Sequence, residues 1–161
     1  MNVAARCLCV FIVLACTTSQ SAEGKIIKTL PHFLDAQGRH TLHPSLFERD
    51  AYQAELKNNP ELVSGMRFDV QWKARKLEKP RLRLEVRGSK TPARQVATFE
   101  QELAPGKLFS QWTGLCVAGE DFKSLGSLVA WRITLWDGDR FVTKQESFLW
   151  ALAGESHPDF K

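Results

Sequence analysis

The sequence lacks the motifs that most directly reveal an activity. Its 161 residues contain no phosphate-binding glycine loop and no nucleophile-elbow pattern around a serine. They also contain no internal repeat and no low-complexity segment. These absences do not exclude an enzyme, but they favour a protein whose function is not enzymatic.

Cysteine is scarce where it could cross-link a fold. Three of the four cysteines, Cys7, Cys9 and Cys16, lie in an N-terminal apolar segment, which leaves Cys116 alone in the folded part. An intramolecular disulfide is then impossible unless the N-terminal segment persists. The apolar run 115–117 predicts that Cys116 is a buried small hydrophobic residue and not a nucleophile.

Residues 6–16 have the organisation of an export signal. Arg6 is followed by nine uncharged, mostly apolar residues and then Cys16, after which the chain turns polar. The run is shorter than the roughly 20 residues of a membrane-spanning helix, so we expect the segment to be removed. Residues 13–16 (Val-Leu-Ala-Cys) resemble the lipobox of bacterial lipoproteins, which implies that Cys16 is lipidated. Ordinary cleavage after Ser21 is the alternative.

Both routes predict an exported protein of the bacterial cell envelope. In lipoproteins, a residue other than aspartate after the lipidated cysteine points away from retention in the inner membrane, and here Thr17 follows Cys16. The lipid-anchored form is expected in the periplasm or at the outer membrane, and the unlipidated form is expected to be secreted. The length of residues 22–153 predicts one domain, followed by a flexible tail over residues 154–161.

Positive charge is unevenly distributed. The net charge of +4 is too small to indicate a nucleic-acid partner. Residues 67–94 nevertheless contain ten lysines and arginines against three acidic residues. This basic region is either the solvated outer face of two strands or a contact for an anionic surface, such as lipid headgroups or an acidic polymer.

Alternation of apolar and polar residues predicts strands along most of the chain. The predicted strands cover residues 24–34 with a kink at Pro31, 65–75, 80–88, 95–103, 109–117, 129–136 and 140–150. Asp137-Gly138 between the last two predicts a tight hairpin.

One helix interrupts this pattern. Ser45 and Glu48 have the spacing of a capping box and predict a helix over about residues 46–58, with Phe47, Ala51 and Ala54 facing the domain. The element order predicts a mainly β protein: an antiparallel β-sandwich, immunoglobulin-like, with one short inserted α-helix. A small β-barrel is the alternative.

Residues 131–139 and 147–150 carry a resemblance to a known class of domain. The hairpin looks like the closing hairpin of bacterial immunoglobulin-like or fibronectin-type-III-like modules, in which a tryptophan packs inside the sandwich. The resemblance implies the fold and assigns no site, because such modules have many functions. Trp72 and Trp131 are accordingly predicted to lie in the core.

Two groups of residues are candidates for a site. His32, Asp35, His40 and His43 are metal-ligand types that a turn could bring together. Their spacing matches no strong metal motif, which favours the alternative that Asp35 serves the turn itself. Trp136 is predicted to point outward, and Trp112 and Trp150 are undecided, so each is a candidate for stacking on a sugar or anchoring a protein.

The function predicted from the sequence is a non-enzymatic binding or assembly module of the envelope, with a protein or glycan partner and no cofactor. A metal-dependent or glycan-active enzyme and a carbohydrate-binding module are the alternatives.

Overall fold

The computed structural model describes residues 23–92, 95–105 and 109–154. The elements in chain order are β1 (Glu23–Leu34), α1 (Leu46–Asn58), a 3₁₀ turn (Pro60–Leu62), β2 (Gly65–Arg75), β3 (Pro80–Gly88), β4 (Ala97–Glu102), β5 (Gln111–Ala118), α2 (Gly119–Leu125), β6 (Leu128–Asp137), β7 (Arg140–Glu146) and α3 (Phe148–Gly154). The predicted signal segment, including Cys16, lies outside the described residues.

The strands form two antiparallel sheets. The first sheet has the order β1-β2-β5, and the second sheet has the order β4-β3-β6-β7. An immunoglobulin constant domain pairs its fourth strand with the fifth, whereas here β4 pairs with β3. No ladder joins the two sheets within the described residues. The fold is therefore the predicted antiparallel β-sandwich and not the alternative barrel.

The core lies between the two sheets. The alternation predicted in β2 and β3 is confirmed, since Phe68, Val70, Trp72 and Leu82 are each at most 1 % exposed. Burying one such side chain contributes about 1.5–3 kcal/mol, so this interface holds the sheets together. Trp131, expected in the core, is only partly buried and packs its ring edge-on against Phe68, with 6.1 Å between the centroids.

Two β-bulges change which residues face the core. The pairing of β1 with β2 skips Ile27 and then runs unbroken through Pro31, so the irregularity is not at the proline. Pro31 is tolerated because β1 is an edge strand of the first sheet. In β6 the pairing skips Val129, so Leu128, opposite Gly88, faces the core in its place.

α1 occupies the predicted residues but packs through a different face. Ser45 holds the N-cap position without a side-chain hydrogen bond, so the capping box does not form. Phe47 is 80 % exposed, and Ala51 and Ala54 are exposed too. Leu56, on another face, is buried instead.

α2 and α3 were not expected from the sequence, which predicts a loop at residues 119–121 and a strand reaching 150. Gly126, with φ of 71°, ends α2 in the left-handed conformation that glycine adopts easily. Just before α3, the backbone N–H of Ser147 donates to the carbonyl of Trp131 and closes the hairpin of β6 and β7. Gly154, predicted to begin the flexible tail, is the last residue of α3. The other residues of the predicted tail lie outside the described ones.

Candidate functional site

The outer face of the first sheet brings together side chains from three distant parts of the sequence. Residues directly opposite each other in an antiparallel ladder share a face. From one end to the other, the outward rows are His32–Arg67–Cys116, Leu30–Asp69–Gly114, Lys28–Gln71–Trp112, Lys25–Lys73 and Glu23–Arg75. Cys116 is exposed on this face, which corrects the expectation that it is buried; its inward neighbours Leu115 and Val117 are the buried residues.

Gly114 leaves room for the guanidinium of Arg67. A Cβ atom at position 114 would stand 2.9 Å from the Nε and Nη2 atoms of Arg67 and 3.0 Å from its Cζ atom. Nε of Arg67 donates to Oδ1 of Asp69 at 2.7 Å. The guanidinium is thereby held across β5, and within the described chain its two Nη atoms have no hydrogen-bond partner.

Gln53 fastens α1 to one end of the first sheet. Its amide nitrogen donates to the carbonyls of Phe33 and His40 at 3.0 and 2.8 Å, and its amide oxygen accepts the N–H of Phe33 at 2.7 Å. Arg49 lies one turn earlier on the same helix face. These bonds therefore place the Arg49 side chain beside the outer face of the sheet.

Asp35 organises the turn that leads from β1 to α1. Its carboxylate accepts the backbone N–H groups of Gln37 and Arg39, the Nε of Arg39 and the hydroxyl of Tyr52. Burial alone would raise the pKa of Asp35, but these donors, led by the backbone N–H of Arg39, outweigh it and lower the pKa to about 2. Asp35 is thus an ionised structural group at neutral pH.

His32 is a buried, neutral member of the outer face. It is 7 % exposed, its ring centroid lies 5.2 Å from that of His40, and its Nε2 atom lies 3.6 Å from Oδ2 of Asp69. Burial lowers the pKa of His32 below 6.5; the nearby His40, Arg49 and Arg67 lower it further, against the opposing effect of Asp69. The imidazole therefore contributes hydrogen-bonding capacity at neutral pH and no charge.

These side chains enclose an open groove of about 330 Å³. Its lining is formed by Leu30, His32, His40, Arg49, Arg67, Asp69 and Trp112. Trp112 is 52 % exposed, and it adds an aromatic wall to a lining with two guanidinium groups and one carboxylate. A groove of this size and mixed lining suits a small polar ligand or one unit of a larger one.

The four predicted metal ligands do not form one cluster. His32 and His40 meet in the groove, but the carboxylate of Asp35 is directed to Arg39 and Tyr52. Nδ1 of His43 accepts the backbone N–H of Ser45 at 3.2 Å on an exposed loop. Across residues 23–92, 95–105 and 109–154, no three His, Cys, Asp or Glu side chains are grouped to hold a metal ion.

The three candidate tryptophans differ in their accessibility. Trp136 points to the outer face of the second sheet, but the guanidinium of Arg83 lies 4.9 Å from its ring and Phe141 packs against it edge-on. Trp150 is 4 % exposed and packs in α3. Trp112 is therefore the one of the three whose ring is more than half exposed.

Part of this groove was not predicted from the sequence. Leu30, Arg49 and Asp69 are not among the predicted site residues, and Arg67 is predicted only as part of the basic region. The outward phase of β2 identifies Arg67 and Asp69 once the strand is assigned. No sequence signal indicates that β1 and β5 flank β2, or that α1 adds Arg49.

A second hollow, of about 480 Å³, lies beside the turn between β6 and β7. Its lining includes Lys79, Arg81, Glu102 and Asp139. It has no aromatic wall. Arg81 already donates to Glu100 and to the carbonyl of Gly138. Because this hollow lacks an aromatic wall and the Nη atoms of Arg81 already have partners, the groove is the better candidate site.

Comparison of the chain with protein families, curated proteins and solved structures finds no match. No helix in the described part of the chain is long and apolar enough to cross a membrane. The case for a function therefore depends on the residues of the groove.

Proposed function

We propose that this protein is an exported, non-enzymatic binding module of the bacterial cell envelope, and that the groove on the first sheet is its binding site. The supporting observation is that Trp112, 52 % exposed, lies in the same groove as Arg67 and Asp69. Tryptophan and arginine are the residues that most often dominate binding energy at protein surfaces. The partner is a protein or a glycan of the envelope.

Export is supported by the organisation of residues 6–16. Lipidation of Cys16 would tether the domain to a membrane, and cleavage after Ser21 would release it. Mass spectrometry of the mature N-terminus separates the two: a lipid-modified Cys16 supports the anchor, and a free N-terminal Ala22 rules it out.

Nuclear magnetic resonance tests the binding function. The isotope-labelled protein is titrated with solubilised envelope glycans and envelope proteins, and shifted backbone amides are mapped. We expect the shifts to cluster on residues 28–32, 67–71 and 112–116, and to vanish in Trp112→Ala but not in the matched control Trp136→Ala. Shifts confined to the second sheet, or none with any fraction, would contradict the proposal.

A glycan-active enzyme is the second candidate. It is favoured by the buried His32 beside the Asp69 carboxylate in the groove, a pair that resembles a base with its orienting acid. The same titration decides between the candidates. Release of shorter glycans over time, abolished by His32→Gln, would replace the binding module with an enzyme.

A further inference from the structure

We infer that the ligand of the groove is an acidic glycan, a chain of sugars bearing carboxylate groups that runs along the outer face of the first sheet. This inference rests on the proposed binding function. It follows from three features of that face: its charge, the free donors of one arginine, and a free acceptor beside an aromatic ring.

The outer face of the first sheet is strongly one-sided in charge. The outward rows and the adjoining helix residue contribute six cationic side chains, which are Lys25, Lys28, Lys73, Arg75, Arg67 and Arg49. The acidic residues are Asp69 and Glu23 in these rows, and Asp50, which pairs with Arg49. A polyanion is the ligand that such a face attracts most strongly.

Arg67 has donors available for a carboxylate. Asp69 occupies its Nε atom only, and both Nη atoms lack a hydrogen-bond partner within the described residues. A guanidinium with two free Nη donors suits a carboxylate, with which it forms short charge-assisted bonds. Arg49 is less available, because Oδ1 of Asp50 accepts from its Nε and Nη2 atoms.

The groove also offers two features that suit a sugar. Oδ2 of Asp69 lies 3.6 Å from Nε2 of His32, which is too long for a hydrogen bond. This leaves an acceptor for a sugar hydroxyl a short distance from Arg67. The exposed ring of Trp112 supplies a flat apolar surface for the face of a sugar ring.

The arrangement is elongated along β2. From Arg67 to Lys73 the strand advances six residues, or about 20 Å at the usual rise per residue. Several sugar rings fit along this length, so the lysines at one end and the groove at the other would bind successive units of one chain.

The experiment titrates the protein, expressed from its full chain, with three probes: a galacturonic acid hexamer, a galactose hexamer and a glutamate hexapeptide. We expect the galacturonic acid hexamer to bind most tightly, with an affinity that falls as salt rises. Arg67→Gln and Trp112→Ala should each weaken it at least tenfold. Gly114→Ala, which displaces the Arg67 guanidinium but keeps its charge, should weaken it several-fold, whereas Arg83→Gln on the second sheet should not.

A length comparison tests the extended path. The double variant Lys25→Gln, Lys73→Gln should weaken the galacturonic acid hexamer more than its dimer. Thermal unfolding of each variant confirms that it is folded, and Trp112→Ala keeps the test valid if a variant of Arg67 is unstable, because Trp112 is largely exposed.

The outcomes separate this inference from the binding function. Equal binding of the galactose hexamer, sensitive to Trp112→Ala but not to Arg67→Gln, would overturn the acidic ligand and keep the binding module. Binding of the glutamate hexapeptide in preference would replace the glycan with an acidic protein segment. Failure of all three probes overturns the inference, while the titration with envelope fractions still decides the binding function.

Discussion

Replacing Trp150 tests how the second sheet is covered. α3 lies on β6, and its Trp150 ring packs against the guanidinium groups of Arg87 and Arg132, whose Cζ atoms are 4.1 and 4.8 Å from the ring centroid. Phe148, Leu149 and Leu152 of the same helix are exposed. Trp150 is therefore the anchor of α3 among the residues whose burial is described.

The magnitude follows from these contacts. Truncating a buried tryptophan to alanine costs about 3–5 kcal/mol, and that figure includes the loss of two cation–π contacts of about 0.5–1 kcal/mol each. Nε of Arg87 is buried without a hydrogen-bond partner among the described residues, and removing the ring would let water reach it. That hydration offsets part of the cost, so we expect Trp150→Ala to lower the free energy of unfolding by about 3 kcal/mol.

Urea unfolding followed by circular dichroism measures this change. Leu149→Ala is the matched control on the exposed side of α3, and it should alter the free energy of unfolding by no more than about 0.5 kcal/mol. A loss below about 1 kcal/mol for Trp150→Ala, or equal losses for both variants, would refute the conclusion that Trp150 holds α3 on the sheet.

Three further predictions concern other parts of the fold. The folded-state pKa of Asp35, about 2, lies below its usual 3.8. Its contribution to stability is therefore complete above pH 3.8 and disappears as pH falls through 2. Unfolding measured across this pH range should show the loss of stability in the wild type and not in Asp35→Asn. Gly88→Ala would place a Cβ atom 2.0 Å from the carbonyl oxygen of Leu125 and should destabilise the protein by about 2 kcal/mol or more in urea unfolding; an unchanged midpoint would disprove the contact. Cys116 should react with iodoacetamide in the folded protein, as peptide mass spectrometry can verify, and protection until denaturant is added would mean that it is buried.

The strands were predictable where burial of one face controls the sequence. β2 and β3 alternate because the residues facing the other sheet must be apolar and those facing water must be polar. Val129 is predicted to face the core, but the bulge at this residue places Leu128 there instead. The alternation of side chains does not show where a strand will skip a residue.

The helices were less predictable because α1 is held mainly by polar contacts. Gln53 and Tyr52 bond to Phe33, His40 and Asp35, and Leu56 is its one buried side chain. A search for an apolar stripe cannot find such a face, and it selects Phe47, which is exposed. α3 escaped prediction because its aromatic and aliphatic residues suit a strand as well as a helix.

The groove could not be predicted because its parts are joined only by strand order. Leu30, Asp69 and Gly114 form one row, yet their separation in the sequence gives no sign of it. His40 enters the groove through the turn organised by Asp35. His40 and Asp35 are both possible metal ligands by residue type, and the hydrogen bonds of Asp35 show that it serves the turn, which was the other prediction.

The basic region is divided by the sandwich, and this division explains why one face is the better site. The arginines of β3 lie on the outer face of the second sheet, where Arg81 and Arg83 both pair with Glu100. On the same face, Glu85 accepts from Nε and Nη2 of Arg132. The outward residues of β2 point the opposite way, because the two sheets pack face to face. On that side the outward rows hold five lysines and arginines against two acidic residues, Asp69 and Glu23. The charge that the sequence presents as one region therefore acts as a neutralised face on one sheet and an anion-attracting face on the other.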